Sequence, residues 1–128
     1  MVNLKEVESA FREAKRRGVD GINVKADALL VQHRAAIGRL SVEHKIPVIG
    51  ADRRFADAGA LASYGENAEA RYRKAAAVVD KILRGAKPEE IPVEQLDVFE
   101  LVINNRTAQA LGITIPDEVA LQATRQIN

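Results

Sequence analysis

Polar side chains that could bind a small molecule stand beside three short apolar runs of the sequence. An arginine guanidinium pairs bidentately with a carboxylate, an aspartate can meet a ligand's amino group, and a tyrosine offers a stacking face with a polar tip. These residue types indicate recognition of a ligand rather than its chemical conversion. The candidate ligand-binding residues are Asp27, Asp52, Arg53, Tyr64 and Asn67.

Each candidate also has an ordinary structural alternative. Asp27 could cap the helix that follows it. The stretch Asp52–Arg54 could be a solvated loop with local ion pairs. Tyr64 stands beside Gly65 and does not belong to the apolar face of any predicted helix, so its sequence position allows both burial in the core and contact with a ligand.

The sequence lacks the arrangements that catalysis requires. It contains no G-x-G-x-x-G, no P-loop and no G-x-S-x-G motif, and it has no cysteine. His33 and His44 are eleven residues apart on one predicted helix, roughly 16 Å along its axis, which is too far for one metal ion. We therefore predict a protein that is not an enzyme and that uses no cofactor and no metal.

The composition excludes several classes of partner. A net charge of +1 gives no strong field toward nucleic acid or membranes, and aromatic residues make up only 4% of the chain. The first residues, MVNLKEVESAFREAKRRG, are charged and contain no apolar core of a signal peptide. The partner predicted from the residues alone is a small molecule.

The hydrophobic pattern predicts helices that alternate with short strands. Such alternation indicates an α/β fold, with a mainly parallel sheet flanked by helices, in one domain over residues 1–128. Tyr72 falls on the apolar stripe of its helix and is predicted to be buried. Helices are expected at 4–17, after 28 with Ile37 and Leu40 inward, at 67–84, at 106–111, and from Pro116 with Val119, Ala123 and Ile127 inward; strands are expected at 21–25, 46–51, 59–65 and 99–104.

The candidate residues follow the predicted strands. In parallel sheets ligands bind beyond the carboxyl ends of the strands. Those ends are residues 25–27, 50–53 and 63–67. The sequence therefore predicts that the candidates converge on one edge of the sheet.

The second half of the chain carries a specific resemblance. The segments GALASYG, KILRGAKPEEIPVEQ and FELVINNRTAQALGITIP resemble the carboxyl-terminal part of bacterial ABC-transporter substrate-binding proteins. The group in question is that of the uncharacterised periplasmic components related to tryptophan-binding receptors. Upstream, the resemblance continues through VKADALLVQHR, although Ala28 stands where the family has proline.

The resemblance implies part of a type I periplasmic-binding fold, which is Rossmann-like and has two lobes. Residues 58–61 and 86–98 would then be segments that cross between lobes. Family members are more than twice as long, so the chain is expected to be either a fragment or a truncated remnant. The compartment implied is the periplasm, or the cytoplasm if the chain is a natural full-length product without a signal peptide.

The resemblance also implies a function. The chain would be the solute-binding component of an ABC importer, or a fragment of it, recognising a small organic solute such as an amino acid and working with an ABC permease. The alternative is a stand-alone α/β domain that oligomerises and has lost transport. If 58–61 and 86–98 are lobe crossings, the long helix lacks its native neighbour here, so the stripe of Tyr72, Ala76, Val79 and Leu83 would be exposed and covered by a second copy, which predicts a dimer.

Overall fold

The computed structural model describes residues 2–128, in which helices alternate with short strands. The helices are α1 (Leu4–Arg17), α2 (Ala28–Gln32), α3 (Arg34–His44), α4 (Arg53–Asp57), α5 (Ala68–Leu83), α6 (Asn105–Leu111) and α7 (Asp117–Ala120), and Pro88–Glu90 forms a 3₁₀ turn. The strands are β1 (Ile22–Val24), β2 (Val48–Gly50), β3 (Ala62–Glu66), β4 (Phe99–Asn104) and β5 (Arg125–Ile127).

The strands of this described part form one sheet in the order β1-β2-β3-β4-β5. β1 and β2 are parallel, with Ile22 opposite Val48, and β2 and β3 are parallel, with Gly50 opposite Ser63. β4 and β5 are also parallel. The predicted fold class, an α/β fold with a mainly parallel sheet, is confirmed.

The hydrophobic core lies between the sheet and a helical layer on one of its faces. Helix α1 contributes Val7 and Phe11, which are buried together with apolar side chains of the first two strands. Phe55 of α4 is fully buried, so this short helix anchors the layer. The other members of the cluster are Val24, Val31, Ile37, Leu40, Ile46, Val48 and Ala60.

The opposite face of the sheet is more open. Asn23, Ile49 and Ala62 occupy one row across β1, β2 and β3, so their side chains point to the same face. Ile49 is 46% exposed, and Tyr64, two residues beyond Ala62 on that face, is 57% exposed. Parallel sheets are normally covered on both faces, so these side chains mark a surface that a ligand or another protein segment can use.

The described chain divides into two compact units. The first comprises the residues up to Gly65 together with Glu100–Asn128, and it contains the sheet and its helical layer. The second comprises Glu66–Phe99, which is α5 and the connector that follows it.

Helix α5 has no buried residue. The prediction that Tyr72 is buried is therefore wrong, since this side chain is 69% exposed. Amphipathic spacing predicts which face of a helix is apolar, but it does not supply the surface that buries that face.

The carboxyl-terminal segment also differs from the prediction. The last helix is the single turn Asp117–Ala120, and the chain then forms β5. Val119 is partly exposed, and Ile127 lies in a strand. Thr124 prepares the pairing, because its N–H donates to the Leu101 carbonyl and its hydroxyl accepts from the Leu101 N–H. Sheet pairing with β4 outweighs local helical propensity here.

The single helix predicted after residue 28 is interrupted. His33 ends α2 and precedes α3, and its backbone is not helical in the regular sense (φ −94°, ψ 11°). The two histidines consequently belong to separate positions: His33 lies between the helices and His44 ends α3.

We expect Gly38→Ala to destabilise the first unit. Gly38 is buried in α3, and a Cβ there would lie 2.2 Å from the Ala58 carbonyl oxygen. Alanine gains about 1 kcal/mol of helix propensity over glycine, but overpacking against backbone costs about 1–3 kcal/mol. A lower free energy of unfolding in urea is the expected result. Ala35→Gly, at an exposed position of the same helix, measures the propensity effect alone, and a Gly38→Ala protein that gains stability would contradict the close contact.

Candidate functional site

Three of the candidate residues follow neighbouring parallel strands. β1, β2 and β3 are adjacent and run in the same direction. Asp27 comes three residues after β1 and Asp52 two residues after β2, while Tyr64 lies near the end of β3. The carboxyl ends of adjacent parallel strands lie at one edge of the sheet, so the topology brings these residues to the same edge of the first unit.

Asp27 is the N-cap of α2. Its Oδ1 accepts hydrogen bonds from the N–H groups of Leu29 (2.8 Å) and Leu30 (3.4 Å). The structural alternative of a helix cap is therefore confirmed. Both of these bonds use Oδ1, which leaves Oδ2 as the atom with capacity to accept from a ligand.

Asp52 is the N-cap of α4 and also an ion-pair partner. Its Oδ1 accepts from the N–H and Nε of Arg54, at 2.9 and 2.8 Å, and its Oδ2 accepts from Nη2 of the same residue at 2.7 Å. The side-chain hydrogen bond to Arg54 lowers the pKa of Asp52 below its ordinary value, against a smaller opposing effect of burial. The predicted local ion pair is present, and it uses both carboxylate oxygens.

Arg53 is exposed at the start of α4. Within residues 2–128 its guanidinium forms no hydrogen bond or ion pair with another side chain, in contrast to its neighbour Arg54. An unpaired guanidinium keeps its full capacity for a bidentate contact with a carboxylate.

Tyr64 does not belong to the core. The residue is 57% exposed and its side chain lies on the open face of the sheet. Of the two interpretations that the sequence allowed, a core position is thus excluded, and contact with a ligand or another chain stays a prediction.

Asn67 belongs to the second unit. Its side-chain oxygen accepts from the N–H of Ala70 at 2.8 Å and so caps α5, and its own N–H donates to the Val98 carbonyl at 2.9 Å. The side chain therefore has a structural function that the sequence analysis did not assign to it.

The end of β3 also contains features that sequence reasoning missed. In the described part of the chain, Ser63 Oγ is the buried side-chain polar atom that lacks a hydrogen-bond partner. A Cβ on Gly65 would lie 2.2 Å from the Ala51 carbonyl oxygen, so the backbone of β3 closely approaches the backbone that follows β2. The sequence signals were the consecutive serine, tyrosine and glycine, but their packing depends on strand neighbours that are distant in the chain.

Two concave regions lie away from the candidate residues. An apolar cavity of about 400 Å³ in the first unit is lined by α1, β1 and parts of α2 and α3. A groove of about 690 Å³ in the second unit lies between α5 and residues 91–99. Neither lining includes Asp27, Asp52, Arg53, Tyr64 or Asn67.

Metal-binding groups and membrane-spanning helices are both absent from residues 2–128. Over residues 2–128, histidine, aspartate and glutamate side chains form no group that could hold a metal ion. In the same range, every helix is too short or too polar to cross a membrane.

Comparison with known proteins identifies the family. The profile of the family described as "ABC transporter substrate binding protein" matches residues 1–127. A curated relative, the "Tyrosine-binding protein" of Clostridioides difficile (strain R20291), is 33% identical over 95 residues, which is 74% of this chain and 28% of the relative. The chain belongs to the ABC transporter substrate-binding protein family.

Solved structures agree with this assignment. A conserved domain protein from Vibrio cholerae O1 biovar El Tor has a TM-score of 0.86 at 29% identity, over 98% of this chain and 42% of that one. An ABC domain from Streptococcus pneumoniae in complex with L-Trp has a TM-score of 0.84 at 27% identity, over 98% and 43%. A ligand-free, open substrate-binding protein with adhesive properties from Clostridium difficile has a TM-score of 0.73 at 26% identity, over 100% and 43%.

The chain thus spans about two-fifths of these solved structures and just over a quarter of the curated relative. The predicted family resemblance is confirmed. At the level of the family, the chain is related to proteins that bind a substrate for an ABC transporter rather than to enzymes.

We expect Asp52→Asn to lower stability at neutral pH but not in acid. Asparagine caps a helix as well as aspartate, so the change removes mainly the ion pair with Arg54, which contributes at most about 1 kcal/mol at an exposed site. Because the folded-state pKa of Asp52 is lowered, the stabilisation is present above the unfolded-state pKa and is lost as the pH falls through the folded value.

The measurement is urea unfolding of both proteins between about pH 7 and pH 2. The difference in the free energy of unfolding between wild type and variant should shrink toward zero at the acid end. Asp20→Asn, at an exposed position before β1, is the control and should show little difference throughout. A difference in the free energy of unfolding that stays constant with pH would show that the ion pair does not stabilise the fold.

Proposed function

We propose that the chain contributes to recognition of a small organic solute, and that the solute is an amino acid with an aromatic side chain. Two relatives support the choice of solute, because one is named a tyrosine-binding protein and another was solved with L-Trp. Their shared chemistry is an α-amino group, an α-carboxylate and an aromatic ring, and the sheet edge of the first unit presents a group suited to each.

The observation that carries the proposal is the unpaired guanidinium of Arg53. Arg54, the next residue, is held by both oxygens of Asp52. This ion pair leaves Arg53 as the cation available for a carboxylate at the end of β2. Asp52 then acts on the ligand indirectly: it caps α4 and occupies Arg54, and so fixes the backbone from which Arg53 projects.

The amino group of the solute is assigned to Asp27. Its Oδ1 is used by the α2 cap, so the geometry of the carboxylate is fixed while Oδ2 remains to accept. A charge-assisted hydrogen bond from an ammonium to a fixed carboxylate is stronger than a neutral one. Tyr64 supplies an exposed ring for stacking on the aromatic side chain.

Asn67 belongs to the second unit, where its side chain caps α5, and its contact with a solute stays a prediction. In the family to which the chain belongs, the solute is passed to an ABC permease, and we propose such a permease as partner and the periplasmic or extracellular side as the compartment. Lobe crossings at 58–61 and 86–98 stay predictions.

We expect L-tryptophan and L-tyrosine to bind weakly to residues 1–128, with chemical-shift changes in NMR concentrated at the ends of β1 and β2 and at Tyr64. Weak binding is expected because the chain corresponds to about two-fifths of the solved relatives. Arg53→Ala should raise the dissociation constant for L-tryptophan about tenfold, since a charge-assisted bond is lost. Tryptamine, which lacks the carboxylate, should bind wild type and Arg53→Ala equally.

The control variant is Arg12→Ala, which removes an exposed arginine from α1. It should leave the affinity unchanged. Asp27→Asn, which preserves a cap, should weaken L-tryptophan but not indole-3-propionate, which lacks the amino group. Equal losses for both members of either ligand pair would refute the assigned contacts, and unchanged spectra at saturating solute would refute the proposed function for this chain.

A second candidate function is that of a stand-alone oligomerising domain. The exposure of the α5 stripe favours it: Tyr72, Val79 and Leu83 are 69%, 53% and 81% exposed. Contiguous exposed apolar side chains are typical of interaction surfaces. We propose that a second copy of the chain covers this stripe in a homodimer.

A further inference from the structure

We infer that Asn104 and Thr107 are positioning residues for Arg53, because their side chains hold the carboxyl-terminal end of α4. The inference rests on the proposed function, in which Arg53 binds the carboxylate of the solute. Its starting observation is that Asn104 and Thr107 are buried polar residues, 6% and 5% exposed. Their side chains both bond to the last turn of α4 or to the turn that follows it.

Helix α4 is too short to determine its own geometry. It consists of five residues, and isolated helices shorter than about 12 residues are marginally stable in water. Its orientation therefore comes from contacts with the rest of the first unit. The buried side chains of Phe55 and Ala56 hold α4 against the core, but apolar contacts are not directional, so hydrogen bonds must fix the tilt of the helix.

Asn104 ties α4 to the first turn of α6. Its Nδ2 donates to the Ala56 carbonyl at 2.9 Å, and its Oδ1 accepts from the Thr107 N–H at 3.1 Å; both bonds are buried. Its backbone N–H donates to the Leu61 carbonyl at 2.9 Å, which fixes the residue relative to the start of β3. A buried polar network whose members are satisfied is rigid, so Asn104 holds Ala56 in one place.

Thr107 holds the turn that follows α4. Its Oγ1 donates to the Gly59 carbonyl at 2.9 Å. Gly59 has a φ of 110°, a conformation that glycine adopts without steric cost. The same turn lies close to α3, where a Cβ on Gly38 would meet the Ala58 carbonyl. The turn is thus held between α3 and Thr107, which leaves the carboxyl-terminal end of α4 little room to shift.

A third contact with the end of α4 is weaker. Arg125 of β5 pairs with Asp57 at 2.5 Å, but both side chains are nearly half exposed. Exposed ion pairs contribute little to stability. The two buried side-chain hydrogen bonds, from Asn104 and Thr107, are therefore the contacts that position the helix.

The consequence for the solute is limited to its carboxylate. A guanidinium binds a carboxylate through two parallel hydrogen bonds, whose geometry tolerates misplacement poorly. Release of the carboxyl-terminal end of α4 should therefore weaken the contact that Arg53 makes. Asp27 and Tyr64 belong to other elements, so their contacts with the solute should be unaffected.

The first test measures solute affinity in Asn104→Ser and Thr107→Val. Serine caps α6 as asparagine does but is too short to reach Ala56, and valine matches threonine in shape but lacks the hydroxyl. Each variant should raise the Kd of L-tryptophan about threefold to tenfold and leave that of tryptamine, which lacks the carboxylate, unchanged. In an Arg53→Ala background neither change should have a further effect, since the positioned group is absent.

Two further variants serve as controls. Thr107→Ser keeps the hydroxyl and should bind L-tryptophan as wild type does. Asn105→Ser is matched to Asn104→Ser: Asn105 is the next residue, but its amide donates to Gln126 and Asn128 instead of α4. This variant should also keep the wild-type affinity.

Amide hydrogen exchange tests the inference without a solute. The N–H of Phe55 bonds to the Asp52 carbonyl at the amino-terminal end of α4, beside Arg53, and the N–H of Ala58 bonds to the Arg54 carbonyl. In Asn104→Ser and Thr107→Val, exchange of both N–H groups should accelerate at least about tenfold, while amides in the middle of α1 keep their protection. Thr107→Ser and Asn105→Ser should exchange as wild type does.

The outcomes separate the inference from the proposed function. Unchanged exchange in α4 of both variants would overturn the inference, with or without solute binding. Equal losses for L-tryptophan and tryptamine, or a loss that persists in the Arg53→Ala background, would also overturn it, because they indicate a general structural effect. If Arg53→Ala alone leaves L-tryptophan binding unchanged, the proposed function fails, and exchange still decides whether Asn104 and Thr107 hold α4.

Discussion

The parallel pairing of β1, β2 and β3 is the constraint on which the rest of the first unit depends. Adjacent parallel strands need a crossover connection, and each crossover here contains helices that begin shortly after a strand ends. The N-terminal ends of α2 and α4 therefore lie at the same edge as the carboxyl ends of the strands. Asp27 and Asp52 lie at this edge because they cap these helices, and the proposed ligand site is at the same edge.

This double position changes how the carboxylates should be interpreted. A capping aspartate uses one or both oxygens to satisfy N–H groups that would otherwise lack partners. Asp52 uses both oxygens, because it also holds Arg54, whereas Asp27 uses only Oδ1. The same residue type at equivalent positions thus has unequal capacity for a ligand, and only the hydrogen-bond pattern distinguishes the two residues.

The sequence predicted those parts of the fold that depend on local spacing. Helix α1 and strand β4 were predicted at their observed limits, and α5 was predicted to within one residue at each end, because apolar periodicity and caps are properties of neighbouring residues. The carboxyl-terminal segment was predicted as a helix because Val119, Ala123 and Ile127 have helical spacing. It forms β5 instead, since Thr124 finds Leu101 as a partner more than twenty residues away.

The sequence predicted the positions of the candidate residues along the chain, but not the hydrogen bonds that they form, because those bonds depend on contacts between distant parts of the chain. The order of strands and polar residues placed Asp27, Asp52 and Tyr64 at one edge. The choice of Arg53 rather than Arg54 as the available cation, and the burial of Ser63 Oγ without a partner, depend on three-dimensional contacts that no spacing rule contains.

Burial of Tyr72 was wrongly expected for a related reason, because periodicity identifies an apolar face and the partner surface must come from elsewhere. For α5, the described residues supply no such surface, because none of its residues is buried.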